Sequence, residues 1–369
     1  MDRRVFLRTA VVTTAATALT GSLWQRAAAG KSTLTTPYGP LREPDANAIA
    51  LPEGFTSRVV ARSGKRGWHP APDGGACFPD GEGWIYVSNS EVPDGGASAI
   101  RFTPEGEIDD VYRVLSGTTL NCAGGATPWG TWLSCEETTG GRVYETDPRG
   151  EKSAEQRPAM GRFRHEAAAC DPDLKAVYLT EDEPDGCFYR FTPDSWGDLS
   201  TGRLDVLCEN QVWREVPDPL VGRKGTQTRH QLDDAVHFDG GEGCHYADGV
   251  CYFTTKGDNS VWAYRTGDAS VAAIYRGGGS LSGVDNLTGT AGGDLYVAED
   301  GGNMEINIIT ADGIVAPVLR VRGHDRSEIT GPAFSPDGTR LYFSSQRGEK
   351  GDKWGSEGVT FEVTGPFRR

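Results

Sequence analysis

The sequence predicts an all-β fold: a six-bladed β-propeller with a metal site at the mouth of its central channel. Three observations predict it. A single strand–turn–strand unit recurs six times. Glycine and proline are abundant, at 50 and 21 residues, which favours short strands and turns over helices. Thiol and carboxylate side chains return at one position of the unit.

The six copies occupy residues 73–91, 122–137, 165–183, 241–259, 284–303 and 329–348. Each has a small-residue strand, a turn, and an apolar strand that ends in polar or acidic residues. Each carries an aromatic at the same place: Tyr86, Trp132, Tyr178, Tyr252, Tyr296 and Tyr342, spaced by 46, 46, 74, 44 and 46 residues. A period in the mid-forties with several short strands per unit is the mark of a propeller blade. The alternation around the aromatics is that of half-buried strands, so they are expected in the core between blades. A strand at 54–63 precedes the first copy and another at 358–365 follows the last. One is expected to complete a blade begun by the other chain end, removing free sheet edges. The 74-residue spacing holds an insertion around 192–234, between blades 3 and 4, which reads as a polar loop over one face.

Residues 1–29 read as a twin-arginine export signal: Arg3 and Arg4, then Phe6 and Leu7, an Ala/Thr-rich stretch, and an A-x-A cleavage site at Ala27 and Ala29. The propeller then fills 30–369. A periplasmic or extracellular location is expected. No later 18-residue apolar run exists, so no stable membrane insertion is expected after cleavage. The net charge of −15, from 52 acidic against 37 basic residues, argues against nucleic acid as a partner. A monomer is expected. Of the eight cysteines, Cys244 and Cys251 flank a turn and could pair, while Cys77, Cys170 and Cys187 read as small apolar side chains.

Ten to twelve residues before the aromatic stand Cys122, Glu166, Glu242 and Asp285; the first blade has Gly74 and Gly75 there, and the last has Thr330 with Glu328 nearby. The first strand of a blade lines the channel. These groups cannot all stay ionised and unpaired in so narrow a space, so they take up protons or cations. The second strands end in Glu91, Glu136–Glu137, Glu181–Asp182, Asp258 and Glu299–Asp300. A tight turn would bring Cys122 and Glu137 to one metal, with Gly124 and Gly125 leaving it room. Excess carboxylates suit Ca²⁺, and a lone thiolate among them suits iron. Zinc would call for several closely spaced His or Cys. His165 lies beside a ligand candidate; His237 and His245 read as structural.

"NCAGGATPWGTWLSCEE", "GRFRHEAA", "VYLTEDE", "GVDNLTG" and "EITGPAFSPDGTRLYFSSQRG" resemble motifs of the PhoX-type alkaline phosphatases, and the chain resembles a short, divergent member. That family consists of exported phosphomonoesterases on six-bladed propellers, which use oxo-bridged ferric ions (Fe³⁺) together with Ca²⁺. The resemblance implies Cys122 as an iron ligand, Glu137 as a carboxylate shared with it, and Glu166, Asp182, Glu242 and Asp285 as further metal ligands. It implies Asn89, in "SNSE", as a contact to phosphate. Two departures stand out. Gly240 occupies the place of the family's phosphate-gripping arginine, and "QRGE" replaces a histidine-containing "QHPG"-like motif. Arg164 is the catalytic candidate to replace that arginine, with Arg229 and Lys224 as alternatives. The expected function is metal-dependent hydrolysis of a small phosphorylated substrate, altered by the lost arginine. A calcium-dependent lactonase-like hydrolase and a non-catalytic metal-binding propeller are the competing readings, and iron content separates the first from the other two.

Overall fold

The computed structural model describes residues 36–222 and 224–368; the export signal lies outside the described residues. Six antiparallel sheets surround one axis. Blade 1 is built from Pro72–Asp80, Gly83–Ser90, Gly96–Phe102 and Ile108–Ser116, and blade 2 from Asn121–Ala126, Trp132–Glu136, Val143–Thr146 and Glu155–Gln156. Blade 3 uses His165–Asp171, Ala176–Glu181, Gly186–Ser195 and Asp198–Cys208. Blade 4 uses Gly241–Ala247, Val250–Thr255, Ser260–Arg265 and Val271–Arg276. Blade 5 uses Val284–Gly289, Leu295–Glu299, Glu305–Ile309 and Val315–Val321, with Ile49–Ala50 added at its outer edge. The inner strands of blade 6, Ile329–Phe334, Arg340–Ser345 and Val359–Thr364, come from the end of the chain. Its outer strand, Thr56–Arg62, comes from the beginning and pairs antiparallel with Val359–Thr364. The ring is thus closed by the two strands expected to close it. Among the described residues, helix is confined to three single 3₁₀ turns, and no helix is long and apolar enough to cross a membrane.

The repeated aromatics hold neighbouring blades together. Tyr86, Tyr178, Tyr296 and Tyr342 are fully buried, and Tyr86 of blade 1 stacks on Tyr342 of blade 6 with ring centroids 5.0 Å apart. Between blades 3 and 4, Phe188 stacks on Phe253 at 4.4 Å. Such pairs add about 0.5–1.5 kcal/mol beyond the area they bury.

The 192–234 stretch differs from the loop expected there. Blade 3's outer strand, Asp198–Cys208, runs through it, and Val212–Glu215 adds a further strand. The reason lies in its side chains: Leu199, Leu204 and Val206 stand between polar residues or next to them, and with Leu207 they are buried in the blade core. Among the described residues, chain outside regular strands follows over 216–222 and 224–236, apart from one 3₁₀ turn.

All six inner strands share one irregularity. The pairing register slips between Pro72 and Gly75, Asn121 and Gly124, His165 and Ala168, Gly241 and Cys244, Val284 and Leu287, and Thr330 and Ala333. A bulge at this point re-aims one side chain out of the sheet. The first bulged residues are Asp73, Cys122, Glu166, Glu242, Asp285 and Gly331, and each inner strand packs on the inner strands of both neighbouring blades.

Candidate metal centre

The bulged residues form one tier of a ring at the channel mouth. The residue just past the second strand of each blade forms another: Glu91, Glu137, Asp182, Lys256, Asp300 and Gln346. Eight of these residues, Asp73, Cys122, Glu242 and Asp285 of the first tier and Glu91, Glu137, Lys256 and Asp300 of the second, line a cavity of about 210 Å³ that also takes in Arg164, Glu328 and Arg347. Three groups of ligand atoms lie mutually within 4.8 Å: Asp73, Glu91 and Cys122; Cys122, Glu137 and Glu166; Glu166, Glu242 and Asp285. Cys122 and Glu166 are each shared by two groups, so the three groups form a continuous arc over blades 1 to 5. The Cys122 thiol donates to Glu166 Oε1 at 3.1 Å.

Among the expected ligands, Cys122, Glu137, Glu166, Glu242 and Asp285 come together in this arc. Asp182 reaches the same mouth but joins none of the three groups; it meets Lys256 Nζ at 2.8 Å and Arg164 at 3.5 Å. Asp73 and Glu91 complete the arc on the other side. Asp73 went unread because it stands thirteen residues before Tyr86, just outside the window that fits the other blades. Its signal was an acid directly ahead of the Gly74–Gly75 pair.

Burial dominates the electrostatics. It pushes the carboxyls of Asp73, Glu137, Glu166, Glu242 and Glu328, and the Cys122 thiol, well above their ordinary ranges, and neighbouring acids add to the shift. Asp285 is pushed up to about 8 by burial and then by Asp300. Asp182 goes the other way. Burial opposes its ionisation, but hydrogen bonds with Glu137 and Lys256 and the charges of Lys256 and Arg164 hold it below the usual range.

The donor set fits cations. Glu166 is fully buried, and its Oε2 has no hydrogen-bond partner. An unpaired buried carboxylate oxygen is costly, and a metal ion removes that cost. Carboxylates shared between adjacent groups, with one thiol among them, match a hard-ion site that carries one softer corner.

Several expectations are corrected. Asn89 does not face the cavity. It is fully buried; its Nδ2 donates to the carbonyls of Cys122 at 3.2 Å and Ala123 at 2.8 Å. Its Oδ1 accepts from Trp132 Nε1 at 2.9 Å and Ser134 at 2.8 Å. No donor or acceptor is left for phosphate, and Asn89 instead fixes the bulge that aims Cys122. Gly124 and Gly125 do not make room for an ion. A Cβ on Gly124 would lie 1.8 Å from the Leu133 carbonyl oxygen, and one on Gly125 2.1 Å from that of Ala168, so both permit backbone contact. His165 is buried, with Nε2 3.2 Å from the Gly161 carbonyl, and burial lowers it to about 3. Arg229 is committed to Glu181 and Asp185, each at 2.9 Å, and Lys224 is exposed. Arg164 does stand at the mouth, 2.5 Å from Glu137. All eight cysteines are free, with the sulfurs of Cys244 and Cys251 3.3 Å apart.

A larger groove of about 640 Å³ lies at the turns of blades 4 and 5, around Asp248–Gly249 and Gly292–Gly293. These turns join the strand ends remote from the mouth, and none of the three ligand groups is there.

Fold and site together define a closed six-bladed propeller with a thiol-containing acidic ring, a candidate metal centre, at one end of its channel. The family model described as alkaline phosphatase PhoX matches residues 91–149 and 139–261. Over 91–261 the chain is thus similar to the PhoX-type family. A structure of Pseudomonas fluorescens PhoX in complex with vanadate, a transition state analogue, is similar at a TM-score of 0.69 and 17% identity, over 88% of this chain and 97% of that one. A Bacteroides thetaiotaomicron protein of unknown function gives 0.54 at 11% identity, over 84% and 76%. A Xanthomonas campestris gluconolactonase gives 0.47 at 13% identity, over 90% and 99%. No curated protein matches the sequence.

Proposed function

We propose that this protein is an exported, metal-dependent phosphoester hydrolase of the PhoX type, acting on small phosphorylated substrates. The observation that carries this reading is the arc of three ligand groups joined through Cys122 and Glu166, with Glu166 Oε2 unpaired. Cys122, Glu137 and Glu166 would hold a transition ion such as Fe³⁺. Asp73 and Glu91 on one flank, and Glu242 and Asp285 on the other, would hold Ca²⁺. When bound, the ions supply charge stabilisation for the phosphoryl oxygens and Lewis-acid activation of water.

The chain's own residues do the rest. The bulges set the ligand side chains in place before substrate arrives, so little reorganisation accompanies the reaction. Asn89 holds the carbonyls of Cys122 and Ala123 by two hydrogen bonds and is itself held by two more, from Trp132 and Ser134. Arg164 and Arg347 sit at the rim, each about a third exposed, and are paired with Glu137 and Glu328. Once those carboxylates are taken up by ions, both guanidiniums are free to receive an anionic oxygen. The Gly240 position offers no such grip. Its φ of +71° disfavours any side chain, and a Cβ there would lie 2.9 Å from Lys256 Cγ.

The test is turnover of an aryl phosphate, with metal analysis of protein from an export-competent host. Iron and calcium are expected in the wild type. Cys122→Ser should lose iron and lower turnover by about 100-fold or more, in the range of losing one preorganised stabilising group. Calcium without iron, together with lactone but not phosphoester hydrolysis, would replace this reading with the lactonase one.

A further inference from the structure

The outer tier of the ring has one member of the opposite sign. At the position just past the second strand, four blades present Glu91, Glu137, Asp182 and Asp300, and blade 6 presents Gln346. Blade 4 presents Lys256. Its ammonium lies 2.8 Å from Asp182 Oδ2 and 2.6 Å from Glu242 Oε1, so it bridges a carboxylate of each tier. That is the place a cation shared by the two acids would take. The lysine stem runs past Gly240, where even a methyl group would lie 2.9 Å from Lys256 Cγ. The corner is therefore shaped around this side chain. Arg164, 3.5 Å from Asp182, adds a second positive charge beside it.

The other end of the arc is different. There no lysine or arginine is ion-paired to Asp73 or Glu91 among the described residues, nor to Glu166, which joins that side to the group of Glu242.

We infer that Lys256 is a tethered cation that fills one position of the metal ring, so that the chain binds one divalent ion fewer than its carboxylates would otherwise hold. This rests on the reading of the mouth as a metal centre. An ammonium and a divalent ion cannot both occupy the gap between Asp182 and Glu242, because like charges at contact distance repel strongly in a partly buried site. The lysine is part of the chain, so that corner is neutralised at any calcium concentration. The remaining positions depend on ion supply.

The experiment counts calcium ions per chain by elemental analysis after equilibrium dialysis, with calorimetric titration as a second readout. Wild type, Lys256→Met and Lys256→Arg are compared as full-length exported protein, each with its melting curve recorded. Methionine keeps the stem's packing against Gly240 and removes the charge. Lys256→Met is expected to bind one more calcium per chain than the wild type, and Lys256→Arg the same number as the wild type. An unchanged count in Lys256→Met, in a folded protein whose wild type does bind calcium, overturns the inference. If that variant instead loses affinity for inorganic phosphate at an unchanged count, Lys256 is an anion anchor rather than an ion substitute. A wild type that binds no calcium at all would sink the metal reading itself.

Discussion

Adjacent acids in this protein have opposite roles. In Glu136–Glu137, Glu181–Asp182 and Glu299–Asp300, the first residue ends a strand and the second begins the turn. The first is hydrogen-bonded by its own chain. Glu136 accepts from the Thr119 amide at 3.0 Å. Glu181 accepts from the Cys187 amide at 3.1 Å and Tyr189 at 2.8 Å, and pairs with Arg229. Glu299 accepts from the amides of Ser282 and Glu305 at 2.8 and 3.0 Å. The second acid of each pair turns to the mouth, where its neighbours are other acids or long cations. Glu137 and Asp182 are buried like the acids before them, while Asp300 is exposed, so burial alone does not mark a ligand. What separates them is whether the chain itself completes their hydrogen bonds.

The sharpest way to break this comparison is to neutralise each half of one pair. Glu137→Gln should lower phosphatase turnover by about 100- to 1000-fold with little change in melting temperature. Glu136→Gln should do the reverse. Equal kinetic losses would mean that the two acids share one role. Next, Glu181→Gln removes the buried partner of Arg229 and should cost about 3 kcal/mol of stability, read as a lower urea midpoint at an unchanged metal count.

A pH series sharpens the contrast further. Glu181 and Glu299 are raised from 4.5 to about 7, both chiefly by burial, and Asp285 from 3.8 to about 8. The folded chain therefore keeps protons that the unfolded chain has already released. Their stabilising share is full below about pH 4 and is lost as pH rises through 7 to 8. Chelated protein should melt at a lower temperature at pH 8 than at pH 5. Calcium should cancel the part due to Asp285 and leave that of Glu181 and Glu299; a slope that calcium abolishes completely would place all three at the ion site. The smallest effect is expected from Glu299→Gln, about 1–2 kcal/mol for a weakened buried hydrogen-bond set, against near-neutral stability for Asp300→Asn.

The blades were legible because each depends on one large buried aromatic, and a residue of that size at a fixed spacing stands out in any sequence. The ring closure was legible for the related reason that strands at 54–63 and 358–365 had no other partner. The bulge was not, since it is a slip of backbone pairing that leaves no residue signature; Asp73 fell outside the window for that reason. Asn89 was misplaced because a polar residue on a strand facing a neighbouring blade looks the same in sequence as one facing a channel. Lys256 is not legible in the sequence because it breaks the acidic pattern of its repeat position, and its meaning appears only beside Asp182 and Glu242. The outer strand of blade 3 was hidden by the polar residues that alternate with its buried leucines.

The pairing of Thr56–Arg62 with Val359–Thr364 also sets when the ring can first exist. Glu91 and Asp73 meet Gln346, a side chain synthesised 255 residues after Glu91. At about 5–20 residues per second, the first blade waits on the order of tens of seconds for the strand that completes the last one. During that interval the carboxylates are present but the cage is not. If the mouth is a metal centre, ion capture then follows ring closure, and the ions taken would be those of whichever compartment surrounds the chain when the two strands meet.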